Sequence, residues 1–251
     1  MLVAVVGKGG VGKTTATALL LRRLLDVQQV PVLAVDADPS NCLGSALGLT
    51  IDQTIAHLRE SMRDAPDRPS SMSQAEWLAL RAESALVERP GFDLLTMGHG
   101  EGPGCYCFVN NVIREYLDRL TRSYRHVLVD CEAGLEHLSR RTTGRPDRLV
   151  CVVNRAKMSA ETIRRALELY SGLHNLLPPQ IDLVLNGFDE GEPLAAQLTE
   201  AASYGTVRFT RIFTVPVDAG IAALEAAGRS LLELNSSSAA LKALQGWEEA
   251  A

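Results

Sequence analysis

A short apolar run, Leu2–Val6, leads directly into Gly7-Lys8-Gly9-Gly10-Val11-Gly12-Lys13-Thr14-Thr15, and a segment with apolar residues at helical spacing, Thr14–Val27, follows at once. No other feature constrains the fold as strongly. The pattern G-x-x-x-x-G-K-[ST] works only between a strand and a helix, where glycines let the backbone curl around phosphates. Inward-facing N–H groups and the positive end of the helix then hold the anion. Lys13 is placed to reach the β- and γ-phosphates and the Thr14 hydroxyl to hold Mg²⁺, with Gly9, Gly10, Val11, Gly12 and Thr15 completing the cradle. ATP with Mg²⁺ is the expected ligand.

The rest of the chain repeats that alternation. Further strands are expected at Val32–Asp36, Phe92–Met97, His126–Asp130, Arg148–Val153, Ile181–Leu185 and Val207–Val215. The inner ones are almost continuously apolar, as strands buried on both faces must be. Helices are expected at Val109–Ser123, Ala160–Leu173 and Ile221–Leu234, with helical stretches at Thr54–Met62 and Gln74–Glu88 flanking a loop, Asp64–Ser73. Ser236-Ser237-Ser238 is placed to cap a last short helix ending near Trp247. The reading is an α/β chain, one P-loop NTPase domain over residues 1–251, with a mostly parallel sheet flanked by helices on both faces.

Composition narrows the partners. The 251 residues carry a net charge of −5, which offers no basic stripe for nucleic acid. No apolar run approaches the ~20 residues that cross a bilayer. No membrane partner and a cytoplasmic location are therefore expected. The five cysteines are Cys42, Cys105, Cys107, Cys131 and Cys151. An odd count in a chain of this kind argues against disulfide stapling. Cys42, Cys131 and Cys151 read as small packed hydrophobes.

Carboxylates mark the ends of two strands. Asp36 and Asp38 close the second strand in Asp36-Ala37-Asp38-Pro39, where open α/β sheets bind ligands. Asp36 is expected to serve structure or the Mg²⁺ water shell. His126–Asp130 is an apolar strand ending in an aspartate suited to Mg²⁺. Asn186 and Asn154 also end strands, and either amide could read an adenine edge. Cys105 and Cys107 stand two apart in a glycine-rich turn at a helix start, which favours the thiolate that binds metal. A pair offers two ligands where zinc or square-planar nickel takes four, so a two-fold dimer would complete the set. Incidental or redox thiols remain the alternative, with His99 a further candidate ligand.

Lys8 through Thr15 resembles the deviant Walker A motif of the MinD/ParA/nitrogenase iron protein superfamily. The resemblance implies that Lys8 crosses to a partner subunit's nucleotide, that Asp38 orients the attacking water, and that ATP promotes a homodimer. It also implies an adenine-reading role for Asn186 and closure of Pro216 and Val217 over the base. Together with Gly102-Pro103-Gly104-Cys105-Tyr106-Cys107 and Asp130-Cys131-Glu132-Ala133-Gly134-Leu135-Glu136-His137, the loop resembles the CooC family. That implies Ni²⁺ or Zn²⁺ at Cys105 and Cys107, shared across the dimer, and delivery to apo carbon monoxide dehydrogenase or a similar nickel enzyme. Two places depart from the pattern: Gly187 stands where Lys or Arg is usual, and Asn154-Arg155-Ala156-Lys157-Met158-Ser159 where a Pro-Ser or Pro-Thr turn is common. Two other readings stay open, a ParA/MinD-like positioning ATPase and an iron–sulfur electron-transfer or scaffold ATPase.

Overall fold

A computed structural model describes residues 1–61, 68–98, 118–132, 146–155, 180–189, 203–204 and 207–250. The chain opens with β1 (Leu2–Gly7), α1 (Lys13–Asp26), β2 (Val32–Ala37) and the short α2 (Cys42–Ala46). Next come α3 (Ile55–Ser61), α4 (Gln74–Glu83), β3 (Leu86–Arg89) and β4 (Phe92–Thr96). The central strands are β5 (His126–Cys131), β6 (Arg148–Val153) and β7 (Gln180–Asn186). The C-terminal part holds β8 (Ser203–Tyr204), β9 (Val207–Arg208), β10 (Arg211–Val215), α5 (Ala219–Ala226) and α6 (Ala239–Ala243).

Eight strands form one sheet in the order β10-β7-β6-β1-β5-β2-β4-β3, parallel throughout except for the β3–β4 edge pair. β1 sits in the middle because every one of its residues from Val3 to Gly7 is buried. Its side chains alternate between two cores, Ala4 and Val6 on one face and Val3 and Val5 on the other. Burial on both faces is what the continuous apolar runs anticipate. α1 covers the second face with Leu19, Leu20, Leu21 and Leu24, and leaves Arg22 and Arg23 towards its outer side.

Four sequence expectations are corrected. The stretch Gln74–Glu88 is not one helix: α4 ends at Glu83, and Leu86–Arg89 pairs antiparallel with β4, Leu86 opposite Leu95. Gly91, at φ 86°, turns that hairpin, a backbone state favouring glycine. The expected strand Val207–Val215 is broken, since Val207–Arg208 pairs with Ser203–Tyr204 and only Arg211–Val215 joins the main sheet. Helix Ile221–Leu234 stops early: α5 ends at Ala226, Gly228 takes a φ of 62°, and a 3₁₀ turn occupies Leu231–Glu233. Cys42 is exposed and not a packed hydrophobe, while Cys131 and Cys151 are buried as expected, their thiols pushed up to about 12 by burial.

Ser238 does cap the last helix, its hydroxyl accepting from the Leu241 N–H. The expected helix Ala160–Leu173 lies outside the described residues, as does Val109–Ser123 up to residue 117, with residues 118–121 helical.

Candidate nucleotide site

The site lies at the carboxyl ends of the central strands, where β1 turns into α1. Gly10 and Gly12 have φ of 77° and 94°, so the loop takes turns that L side chains resist. A Cβ at Gly12 would stand 2.3 Å from Asn186 Nδ2, so a side chain there would displace the Asn186 amide. Lys13 opens α1 and is 6% exposed. Lys8 is half-buried, and Gly9 and Gly10 form the exposed crest.

Asp36 and Asp130 are register partners on β2 and β5, so their carboxylates end adjacent strands side by side. They do different work. Asp36 accepts from the backbone N–H groups of Asp38 (3.2 Å) and Leu43 (2.9 Å), which ties the loop after β2 to the strand. Both of its oxygens are thus engaged, which favours the structural half of the sequence expectation. Asp130 Oδ2 accepts the Thr14 hydroxyl at 2.6 Å, whereas its Oδ1 is buried with no hydrogen-bond partner among the described residues. A buried carboxylate oxygen left unpaired is costly. With the Thr14 hydroxyl it makes the all-oxygen donor set that a magnesium ion carried in with a triphosphate requires, so the residues present fit Mg²⁺.

Electrostatics agree with that assignment. Burial pushes the Asp130 carboxyl up to about 7, opposed by the Thr14 hydrogen bond and reinforced by the Asp36 charge. Burial likewise raises Asp36 to about 6, against the pull of the Leu43 and Asp38 N–H groups. Burial thus makes both carboxyls keep a proton to higher pH than a free aspartate does, and at Asp130 a cation competes with that proton.

Asp38 forms a turn of its own: its Oδ1 accepts from the Ser40 N–H at 2.9 Å, and its carbonyl accepts from Asn41. It remains half-buried at the mouth of the site. Both asparagines weighed as base readers reach the phosphate loop. Asn186 Nδ2 donates to the Val11 carbonyl at 2.9 Å and Asn154 Nδ2 to the Gly10 carbonyl at 3.4 Å. Pro216 and Val217 follow β10 beside β7, with the Gly187 N–H donating to the Val215 carbonyl at 2.8 Å. Val217 is 82% exposed, an apolar side chain standing uncovered where the base edge is expected.

Some neighbours escape a reading of the sequence. The Thr15 hydroxyl donates to Glu225 Oε1 at 3.3 Å, joining the loop to α5. Arg155 donates to the Gly187 carbonyl at 2.9 Å. The departure of the segment that begins Asn154-Arg155 from the resembled turn hinted at the second; nothing hinted at the first. Cys105, Cys107 and His99 lie outside the described residues, as does the chain from 133 to 145 after β5.

Comparison with known proteins agrees with this geometry. The family model for the CobQ/CobB/MinD/ParA nucleotide binding domain matches residues 2–232. An uncharacterized ATP-binding protein of Methanocaldococcus jannaschii is 41% identical over 176 residues, 69% of each chain. The carbon monoxide dehydrogenase accessory protein CooC of Rhodospirillum rubrum is 31% identical over 252 residues, covering 94% of this chain and 90% of that one. Among solved structures, a ParA family ATPase from Chlorobium tepidum superposes with a TM-score of 0.71 at 19% identity, over 98% of this chain and 96% of that one. The septum site-determining protein MinD of Pyrococcus horikoshii, complexed with Mg-ADP, gives 0.65 at 21% identity, over 96% and 91%.

Proposed function

The chain is an ATPase of the CobQ/CobB/MinD/ParA nucleotide-binding family, and we propose that it uses ATP to load or release nickel for carbon monoxide dehydrogenase or a related nickel enzyme. One observation carries the reading: similarity to CooC runs over 94% of the chain, and the chain carries Cys105 and Cys107 two residues apart. In this account each subunit contributes that pair, and two subunits surround one Ni²⁺ or Zn²⁺ with four thiolates. The ion is cargo.

The chemistry at the nucleotide is positioning and charge stabilisation. Magnesium, when bound, neutralises charge building on the phosphates. Lys13 and the loop N–H groups hold the β- and γ-phosphates, and Thr14 with Asp130 orients the metal side. Asp38, at the mouth, orients the attacking water. Lys8, carried on the half-buried rim, reaches the partner subunit's nucleotide and supplies a second cation there. A dimer closed by ATP couples the two sites, since the same seam would hold both.

The experiment pairs metal analysis with gel filtration, with and without a non-hydrolysable ATP analogue. Cys105→Ala with Cys107→Ala is expected to remove bound nickel or zinc, about one ion per dimer, and to keep ATP binding. Unchanged metal content in that variant would end the chaperone reading and leave a positioning ATPase in its place. Lys8→Ala is expected to keep ATP affinity but lose hydrolysis and the nucleotide-dependent dimer. A Lys8→Ala protein that hydrolyses normally as a monomer removes the trans-acting lysine.

A further inference from the structure

The two places where this chain departs from the pattern it resembles are in contact. Arg155, just beyond β6, sends Nε to the carbonyl of Gly187, just beyond β7, at 2.9 Å. Its guanidinium carbon lies 5.3 Å from the centre of the Phe188 ring, and Phe188 is itself buried in the core. Asp189 adds a 3.9 Å ion pair between exposed groups, which contributes little. Arg155 therefore straps the end of β6 to the turn Asn186–Asp189. A planar guanidinium suits the task, since it donates in its plane and stacks through its face.

The strap acts on a residue whose orientation the structure determines. An amide group that points at a carbonyl must present its nitrogen, so the Asn186 contact with Val11 O fixes which end of the amide is which. One of the two Nδ2 hydrogens is spent on the loop. Asn186 keeps its oxygen and a second N–H for a ligand, in the order that the loop contact fixes. An acceptor and a donor in fixed order match a base edge that sets an exocyclic amino group beside a bare ring nitrogen, and mismatch one that sets a keto oxygen beside a ring N–H, where like groups would face each other unpaired. Gly187 holds a φ of 78° and lacks a side chain of its own to stabilise the turn. A Cβ there would come no closer than 3.9 Å to any neighbour outside the adjoining residues, and that neighbour is Val217. The turn is thus open on the side facing Val217 and braced on the other by Arg155.

We propose that Arg155 is a positioning residue for base selection: by clamping the Gly187 carbonyl and lying against Phe188, it holds the Asn186 amide in the one orientation in which its acceptor and remaining donor match the purine edge. The inference rests on Asn186 reading the base, and the experiment separates the two. Steady-state hydrolysis of ATP and GTP is measured for the full chain and for Arg155→Ala, Arg155→Lys, Asn186→Ala and the Arg155→Ala/Asn186→Ala double variant. Arg155 is 56% exposed, so its loss should leave the melting temperature within a few degrees, which a thermal scan checks. Arg155→Ala is expected to raise the KM for ATP roughly five- to tenfold, with kcat within about twofold, the size of one lost hydrogen bond. The ATP-to-GTP ratio of kcat/KM should fall by a similar factor. Arg155→Lys should recover part of that ratio, because an ammonium reaches the carbonyl but cannot stack on the ring. The double variant should be no less selective than Asn186→Ala alone.

If Asn186→Ala loses selectivity and Arg155→Ala keeps it, Arg155 is a surface residue and the proposal is overturned while base reading by Asn186 stands. If Asn186→Ala keeps selectivity, that reading fails and the proposal falls with it. An equal loss on both nucleotides makes Arg155 a general brace of the phosphate loop, which also overturns it.

Discussion

Asp130 shows how much a single residue is asked to do. Its Oδ2 is satisfied by Thr14 and its Oδ1 by no group among the described residues, and burial pushes its carboxyl up to about 7. A carboxyl raised from 3.8 in the unfolded chain to about 7 in the folded one stabilises the fold below pH 3.8. That contribution is lost as pH rises towards and through 7, so without a cation Asp130 works against the fold at neutral pH. Bound Mg²⁺ must displace the proton when pH is below about 7. The Mg²⁺ concentration that half-saturates ATP hydrolysis should therefore rise roughly tenfold for each unit below that value and level off above it. A titration between pH 5.5 and 8.5 checks this, and a flat profile would exclude Asp130 as the metal-side ligand. His126 illustrates the opposite case: burial, then the N-terminus and Arg125, lower it to about 4, and both ring nitrogens lack hydrogen-bond partners among the described residues. Nothing in the sequence separates it from an ordinary strand residue.

At the scale of elements, α5 is unusual. Its sequence, Ala219-Gly220-Ile221-Ala222-Ala223-Leu224-Glu225-Ala226, is apolar, yet none of its residues is fully buried. Ile221 and Leu224 pack against the core while partly exposed, and the N-terminal cap adds a second hold. Asp218 accepts from the Gly220 N–H at 2.8 Å and, through its other oxygen, from the Ser238 hydroxyl at 2.6 Å and the Ala240 N–H at 3.3 Å. One carboxylate thus pins α5 to the start of α6. Burial acts to raise its pKa, but these hydrogen bonds prevail and hold it below the usual carboxylate value. Asp218→Ala should cost about 1–2 kcal/mol, seen as a lower urea midpoint at unchanged slope. Because Glu225 on this helix meets Thr15, the same substitution should also weaken ATP binding, which a change confined to stability would not do. The early end of α5 follows from Gly228, and the hairpin at β3 from the Pro90-Gly91 turn. Both signals stood in the sequence, but apolar spacing continued across them.

Across the whole molecule, the amino ends of the parallel strands carry a second structure remote from the nucleotide. Arg148 opens β6, is fully buried, and pairs with Asp182 of β7, Nε to Oδ2 at 2.6 Å. Its guanidinium lies 4.4 Å from the Trp247 ring centre and donates to the Trp247 carbonyl at 2.9 Å. Trp247 Nε1 returns a hydrogen bond to Asp182 at 3.1 Å, and Arg211 donates to the Gly246 and Trp247 carbonyls at 2.7 and 2.6 Å. The chain's last turns are thereby locked beneath the sheet. Removing the fully buried indole in Trp247→Ala should cost about 3–5 kcal/mol and lower the melting temperature by roughly 10 °C. The KM for ATP should stay within about twofold, since the phosphate loop lies at the opposite ends of the strands. A large change in that KM would mean that the two ends of the sheet communicate.

The sequence by itself determined the phosphate loop, the aspartates beside it and the alternation that builds a parallel sheet. Each is a local matter: glycine tolerance of positive φ, burial on both strand faces, and a helix start beside an anion. Only the tertiary structure decided strand order, and with it every contact between residues far apart in the chain. That is why Asp130 stands beside Asp36, why Asn186 grips Val11, and why Arg155 reaches Gly187 from another strand. Spacing along a chain carries no information about which strand lies next to which; burial of the apolar faces settles that only when all the strands pack at once.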